Sequence, residues 1–332
     1  MSTSREQVVV FECRSEQLVG IVHNARAVGA PGVAGAAGAA GPAGPAGPAG
    51  AVGAVGAVGT VGTVGAVGAA EPRIGLLVIV GGPQYRVGSH RQFTLMARAL
   101  AAEGFPVLRF DYRGMGDSDG EFAGFESTGD DIRAALDAFV RAVPSLVGVV
   151  LWGLCDGASA ALMNGCTDPR VRGLILVNPW VRTQTGEAQT YLRHYYGGRL
   201  LQLSFWRKVL SGGVNPFNSL RGLFQTARVA RAAQTDVTAP AGSFIERMLR
   251  GFGAFKGSVL LLISGRDLVA QEFMDLCAAS PGWQAGLKKP AVQVIRLEAA
   301  DHTFSQRAAL ESAIGHCRQA LADLSQPGTV RP

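Results

Sequence analysis

The sequence predicts an α/β protein with a doubly wound, mostly parallel sheet, because strand and helix patterns alternate along most of the chain. From Ile74 onward, short runs rich in Val, Ile and Leu are each followed by a longer helical pattern. Such apolar runs are typical of strands buried on both faces, and their alternation with helices indicates βαβ units. The predicted strands are 75–80, 107–110, 148–152, 171–177, 258–264 and 292–297, and the predicted helices are 91–103, 127–143, 157–164, 271–279 and 307–324.

The 332-residue chain is long enough for one large α/β domain with an inserted subdomain. The strand–helix alternation breaks off after the fourth of these strands, and the aromatic, basic stretch that follows is too long for a plain loop, which predicts a mostly helical cap. The predicted organisation is a core hairpin at 1–26 (strands 8–13 and 18–23), a low-complexity insertion at 27–72, core at 73–180, the cap at 181–257, core at 258–325 and a tail at 326–332.

The low-complexity insertion carries no charge between Arg26 and Glu71 and has glycine at every third position from Gly29 to Gly68. This period is typical of collagen, but proline is sparse, so a disordered insertion is favoured over a trimerising element. A membrane helix is disfavoured because glycine and proline are poor helix formers.

Positive charge is concentrated in the predicted cap. Residues 181–257 hold eleven Lys and Arg against three acidic side chains, a balance of +8, whereas the rest of the chain sums to −2. This balance favours either an anionic ligand (CoA phosphates, a nucleotide sugar, an acidic glycan or a membrane surface) or a solvated basic surface. The sequence has no motif typical of nucleic-acid recognition and no phosphate-binding loop, so nucleic acid is not a predicted partner.

The five cysteines are odd in number, scattered and without a Cys-x-x-Cys pair. Neither a disulfide framework nor a zinc site is therefore predicted, and no other metal or cofactor motif stands out. The first ten residues include charged side chains and lack the apolar segment of a secretory signal, which predicts a cytoplasmic protein.

One cysteine lies in a distinctive motif, Gly153-Leu154-Cys155-Asp156-Gly157, between a predicted strand and a predicted helix. A nucleophile elbow requires this context, because its sharp turn needs small residues two positions before and after the nucleophile. A helix N-terminus also favours a thiolate. The alternative is a buried core cysteine whose glycines serve only the turn.

A thiol nucleophile needs a base and a group that orients the base. His302 follows the last predicted strand, and Asp267 follows the strand before it, so both are expected at the carboxyl edge of the sheet with Cys155. The order Cys155, Asp267, His302 is that of nucleophile, acid and histidine in this architecture. The alternatives are a surface-loop histidine and an aspartate that only caps a helix.

An oxyanion hole is expected from backbone N–H groups, one of Asp156 and one of the loop after the strand 75–80. That loop reads Gly81-Gly82-Pro83-Gln84-Tyr85, in which Pro83 has no N–H. Gly82 is therefore the expected donor and Gln84 the reserve, although the same residues could serve only as a turn.

Residues 110–118, Phe-Asp-Tyr-Arg-Gly-Met-Gly-Asp-Ser, resemble the Asp-x-Arg-Gly-x-Gly-x-Ser loop of many α/β-hydrolases. With the elbow, Asp267 and His302, this resemblance covers nearly the whole chain apart from the insertion, and it implies the α/β-hydrolase fold. The segments 81–86 and 153–156 more narrowly resemble the exosortase A system-associated hydrolase 1 family. That resemblance implies a bacterial locus for exopolysaccharide production or exosortase-linked protein sorting.

A cysteine nucleophile directs the expected chemistry to acyl groups, because thiolates attack activated carbonyls and leave a reactive thioester. The elbow is similar to those of dienelactone hydrolases and polyhydroxyalkanoate synthases, although Ala158 stands where the latter have a second glycine. Hydrolysis of an ester, lactone or thioester through acyl-Cys155 is the leading hypothesis. An acyltransferase with the same Cys-His-Asp triad, and a catalytically silent binding protein of this fold, are the alternatives.

Overall fold

The computed structural model describes residues 6–24, 73–82, 84–182 and 242–326. The Gly-triplet insertion, the greater part of the predicted cap and the end of the chain after 326 lie outside the described residues. The predictions made for those segments therefore stay predictions.

The described residues form eight strands and seven α-helices, which we number in chain order. The strands are β1 (Glu6–Cys13), β2 (Glu16–His23), β3 (Arg73–Ile79), β4 (Val107–Phe110), β5 (Leu146–Leu154), β6 (Val171–Val177), β7 (Ser258–Arg266) and β8 (Val292–Asp301). The helices are α1 (Gln92–Ala102), α2 (Gly129–Ala142), α3 (Asp156–Asn164), α4 (Phe244–Ala254), α5 (Leu268–Ala279), α6 (Pro281–Leu287) and α7 (Arg307–Ser325). Short 3-10 helices occur at Ser89–Arg91, Phe125–Ser127 and Gly165–Thr167.

The strands form one sheet in the order β1-β2-β4-β3-β5-β6-β7-β8. The hairpin β1–β2 is antiparallel and joins β4 in antiparallel register, whereas every pairing from β4 to β8 is parallel. The predicted mostly parallel sheet is thus confirmed. Because β3, β5, β6 and β7 are interior strands, their Val, Ile and Leu side chains are nearly all buried.

Both faces of the sheet are covered by helices. The Trp152 ring of β5 packs edge-on against Phe93 of α1, with 5.4 Å between ring centroids. The next residue, Gly153, lies against the backbone of Gly157 in α3. Successive strand residues point to opposite faces, so α1 and α3 lie on different sides of the sheet. This arrangement confirms the doubly wound architecture.

Helix α4 falls within the range predicted for the cap, but its contacts are with the core. At Gly251 an added Cβ would meet the backbone carbonyl of Leu162 in α3, so the two helices approach at backbone distance. Ser243 caps α4 by accepting a hydrogen bond from the Glu246 N–H at 3.2 Å. Residues 244–254 thus form a helix that packs on the sheet-covering helix α3.

Candidate active site

Cys155 occupies a sharp turn between the end of β5 and the start of α3. Its backbone has φ 61° and ψ −128°, a region that residues with a side chain rarely adopt. The turn is held on both sides, since the Cys155 N–H donates to the Val177 carbonyl at 2.9 Å and its own carbonyl accepts from Ala158 at 3.0 Å. The half-buried thiol is thereby presented at the carboxyl edge of the sheet.

The two glycines of the motif are needed because the turn is packed against its neighbours. A Cβ on Gly157 would lie 2.5 Å from the carbonyl oxygen of Ile79, at the end of β3. A Cβ on Gly153 would collide with the Gly157 backbone. Neither position has room for a side chain. A nucleophile elbow has the same requirement, since its sharp turn admits only small residues there.

Asp267 and His302 meet at the same edge of the sheet. The His302 Nδ1 lies 2.7 Å from Asp267 Oδ2, and the aspartate side chain is almost fully buried. The other oxygen, Oδ1, accepts a hydrogen bond from the Val269 N–H at 3.0 Å. Asp267 therefore caps α5 with Oδ1 and orients His302 with Oδ2. The helix-capping role and the triad role, which were alternatives in the sequence, are both present.

The Cys155 side chain is also close enough to His302 to act on its pKa, so the three predicted triad residues come together. Burial alone would lower the pKa of His302, but its hydrogen bonds and charge interactions with Asp267 and Cys155 outweigh that and raise the pKa to about 10. The arrangement thus favours a protonated His302 imidazolium at neutral pH.

A buried asparagine that sequence reasoning did not single out supports the acid. Asn178 follows β6 with φ 46°, donates through Nδ2 to Ser264 Oγ at 2.9 Å and accepts from the Ser264 N–H at 2.8 Å. Ser264 lies in β7, three residues before Asp267, so this pair of bonds fixes the strand end that carries the acid. The only signal of Asn178 in the sequence is that it is a polar residue directly after a buried strand.

The Asp156 side chain contacts the group expected to donate in the oxyanion hole. The Gly82 N–H donates to Asp156 Oδ1, and the backbone N–H groups of Gly157 and of Asp156 itself also interact with that carboxyl group. Burial raises the pKa of Asp156, and these hydrogen bonds, with the charge of His302, only partly oppose the rise. Sequence reasoning assigned a role to the Asp156 backbone and none to its side chain.

A buried ion pair holds the loop after β3. The fully buried Asp111 carboxylate pairs with the Arg86 guanidinium and accepts from the Arg86 N–H at 2.6 Å and the Asp117 N–H at 3.2 Å. Gly116 packs directly on this carboxylate. Asp111, Gly116 and Asp117 belong to the loop that resembles α/β-hydrolases, so the motif anchors the segment that carries Gly82.

Three of the basic residues described within 181–257 have acidic partners. Arg182 forms two hydrogen bonds of 3.1 Å with Glu272, Arg247 pairs with Glu126, and Arg250 lies 3.4 Å from Glu246. Arg182 also lies over the Trp180 ring, 4.9 Å from its centroid. These side chains therefore contribute less to an anion-binding surface than their number in the sequence indicates.

Within the ranges that the structure describes, no cluster of three His, Cys, Asp or Glu side chains is arranged to hold a metal ion. Among the same residues, no helix combines the length and the apolar character that a bilayer span needs.

Comparison with solved structures shows that the chain has the α/β-hydrolase fold. The esterase Pf2001 of Pyrococcus furiosus is 14% identical, with a TM-score of 0.56 over 96% of this chain and 92% of that chain. The α/β hydrolase GrgF of Penicillium sp. sh18 is 16% identical, with a TM-score of 0.55 over 96% and 98%. At such low identity these similarities show the fold alone.

Comparison of the sequence with protein-family models identifies the family. The model of the alpha/beta hydrolase family matches residues 76–313, which is most of the chain, so this protein belongs to the alpha/beta hydrolase family. A search of curated proteins found no match.

Proposed function

We propose that the protein hydrolyses an ester, a lactone or a thioester through a covalent acyl-Cys155 intermediate. The observation that carries the proposal is the position of His302, whose Nδ1 lies 2.7 Å from Asp267 Oδ2 and whose pKa is raised by the nearby Cys155 side chain. Membership of the alpha/beta hydrolase family supports the same class of reaction.

In the first half of the reaction, the Cys155 thiolate attacks the carbonyl carbon and a C–S bond forms, while an electron pair moves onto the carbonyl oxygen. Backbone N–H groups of Asp156 and Gly82 are the proposed donors to that oxygen. When the oxyanion collapses, the bond to the leaving alcohol or thiol breaks, and His302 gives this group its proton. The product of this half-reaction is a thioester on Cys155.

In the second half, neutral His302 takes a proton from water, and the hydroxide attacks the thioester carbonyl. The C–S bond then breaks, the acid is released, and the Cys155 thiolate and the His302 imidazolium are restored. Asp267 stabilises the imidazolium throughout, because it lies 2.7 Å away and is shielded from water.

Covalent labelling with p-nitrophenyl esters of several chain lengths tests this proposal. We expect release of p-nitrophenolate, an acyl mass on the peptide that contains Cys155, and neither in Cys155→Ala. Undiminished labelling of Cys155→Ala would refute the assignment. Cys166, which is exposed, provides the matched control, since Cys166→Ala should label like the wild type.

The same acyl-enzyme can pass its acyl group to an alcohol or amine, so the acceptor must be tested directly. Mass spectrometry of reactions that contain acyl-CoA and sugar acceptors distinguishes free acid, which indicates hydrolysis, from an acylated acceptor, which indicates transfer. A protein that binds these acyl compounds without turnover would be a catalytically silent member of the fold.

The loop motifs that resemble the exosortase A system-associated hydrolase 1 family extend the proposal to biological context. They favour an enzyme that acts on an acylated small molecule in an exopolysaccharide or exosortase locus. The neighbouring genes in the source genome provide the check: absence of such genes would contradict the extension while leaving the chemistry untouched.

A further inference from the structure

The Asp156 carboxyl group lies where a substrate carbonyl would need hydrogen-bond donors. Asp156 directly follows the nucleophile, and its Oδ1 accepts the Gly82 N–H from the loop after β3. The backbone N–H of Asp156 itself, the second donor of the proposed oxyanion hole, lies close enough to lower the pKa of the same carboxyl group. The Gly82 donor is therefore directed at a side chain of the protein, and the Asp156 donor lies beside it.

The packing around Gly81 shows that the Asp156 carboxyl group lies close against the loop after β3. A Cβ at Gly81 would lie 2.5 Å from Asp156 Oδ1 and 2.9 Å from the Gly157 nitrogen. The carboxyl group is thus enclosed between the elbow and the loop after β3. A Gly82 Cβ, by contrast, would meet no atom within 4 Å.

We propose that the Asp156 carboxyl group occupies the oxyanion hole of the free enzyme and must leave it before a substrate carbonyl can be activated. The inference rests on the proposed acyl-Cys155 chemistry, in which the carbonyl oxygen needs the Asp156 and Gly82 N–H groups. A carboxyl oxygen and an oxyanion are both acceptors, so they compete for the same donors. Asp156 then determines how readily a carbonyl reacts, without taking part in bond formation.

This competition separates two reactions of the same thiol. Acylation develops negative charge on a carbonyl oxygen and needs the donors, whereas alkylation by iodoacetamide is a displacement at a CH₂ carbon that creates no oxyanion. Removing the carboxyl group should therefore accelerate acylation and leave alkylation unchanged. A general loosening of the elbow would alter both rates together.

The test measures both rates at Cys155 in the full chain. In Asp156→Ala we expect p-nitrophenyl acetate to acylate Cys155 about tenfold faster than in the wild type, which corresponds to about 1.4 kcal/mol. Asp156→Asn keeps the shape and an uncharged acceptor, so its rate should fall between the two. Iodoacetamide should alkylate all three proteins at the same rate.

Asp168→Ala is the matched control, because Asp168 pairs with Arg170 at the start of β6, away from the carboxyl edge. Its acylation rate should equal that of the wild type. Acylation of Asp156→Ala at the wild-type rate or more slowly, with normal alkylation, would overturn the inference.

A second measurement keeps this result separate from the proposed function. Protein made with carbonyl-¹³C glycine and ¹⁵N glycine reports only Gly-Gly amides, of which the sequence has three: Gly82, Gly198 and Gly213. One of these signals should move in Asp156→Ala and stay in Asp168→Ala. If no variant is acylated, the proposed function fails, yet a moved signal still supports the occupied site; three unmoved signals would overturn it.

Discussion

Replacing Asp267 by Asn removes a negative charge 2.7 Å from His302 and leaves the side-chain shape almost unchanged. In the wild type, burial disfavours the imidazolium, whereas Asp267 and Cys155 together raise the pKa of His302 from 6.5 to about 10. His302 therefore holds its proton on the order of a thousandfold more tightly than a free histidine. We expect a lower pKa in Asp267→Asn.

The double variant Asp267→Asn/Cys155→Ala gives the sharper expectation. It removes the two groups that raise the pKa of His302 most, so the effect of burial dominates and the pKa should fall far below the wild-type value, towards 6.5 or lower. Cys155→Ala by itself keeps the aspartate and should give a value between those of the wild type and the double variant.

Proton and nitrogen NMR of the His302 ring across the pH range measures these values, with His302→Asn to identify the signals. The Cys155 thiolate is followed by its absorbance near 240 nm, measured as the difference between the wild type and Cys155→Ala. Because the folded-state pKa is raised, the stability from this pairing is fully present below pH 6.5 and is lost as pH rises through about 10. A wild-type His302 that titrates near 6.5 would refute the reasoning.

Three further predictions concern stability and can be checked by urea unfolding. Asp111→Ala removes the buried carboxylate that accepts from the Arg86 and Asp117 N–H groups and leaves the Arg86 guanidinium only its ion pair with Asp117. This change should cost about 1–3 kcal/mol, so an unchanged free energy of unfolding would contradict the anchoring role. Burial, helped by the nearby charge of Arg109, lowers the pKa of His23 to about 4. Between pH 6.5 and about pH 5, His23 is protonated in the unfolded chain but not in the folded one. The free energy of unfolding should therefore fall by about 2 kcal/mol between those two pH values, and by less in His23→Gln. Gly157→Ala places a Cβ within 2.5 Å of a β3 carbonyl oxygen, so it should lower the free energy of unfolding by about 1–3 kcal/mol and slow the labelling of Cys155. Gly315→Ala is the control, because a Cβ there meets no atom within 4 Å, and it should change neither quantity.

Sequence periodicity was sufficient to predict most of the fold. The predicted bounds of β4 and β6 agree with the structure residue for residue, because both are short, mostly apolar runs between clear breaks. Helix α6 was missed, since its Pro-Gly start reads as a turn, although proline is well suited to the first position of a helix. Strand β8 extends four residues beyond its predicted end, because β7 pairs with it again, after a shift in register, where Arg266 lies opposite Asp301.

The sequence by itself determined which residues reach the carboxyl edge of the sheet. Cys155, Asp267 and His302 each follow a strand directly, which places them at that edge in any parallel sheet of this kind, because the placement depends only on strand ends. A polar residue directly after a strand is a local signal, which can be recognised from neighbouring residues in the sequence alone.

Only the tertiary structure decided how the side chains at that edge pair. The contact of Asp156 with Gly82 joins residues 74 positions apart, and that of Asp267 with His302 joins residues 35 apart. Such contacts depend on register between strands and on the rotamers that packing permits, neither of which a run of residue types specifies. For that reason the elbow could be recognised from five residues, whereas the carboxyl group that competes for its oxyanion donors became visible only when the loop after β3 was placed against it.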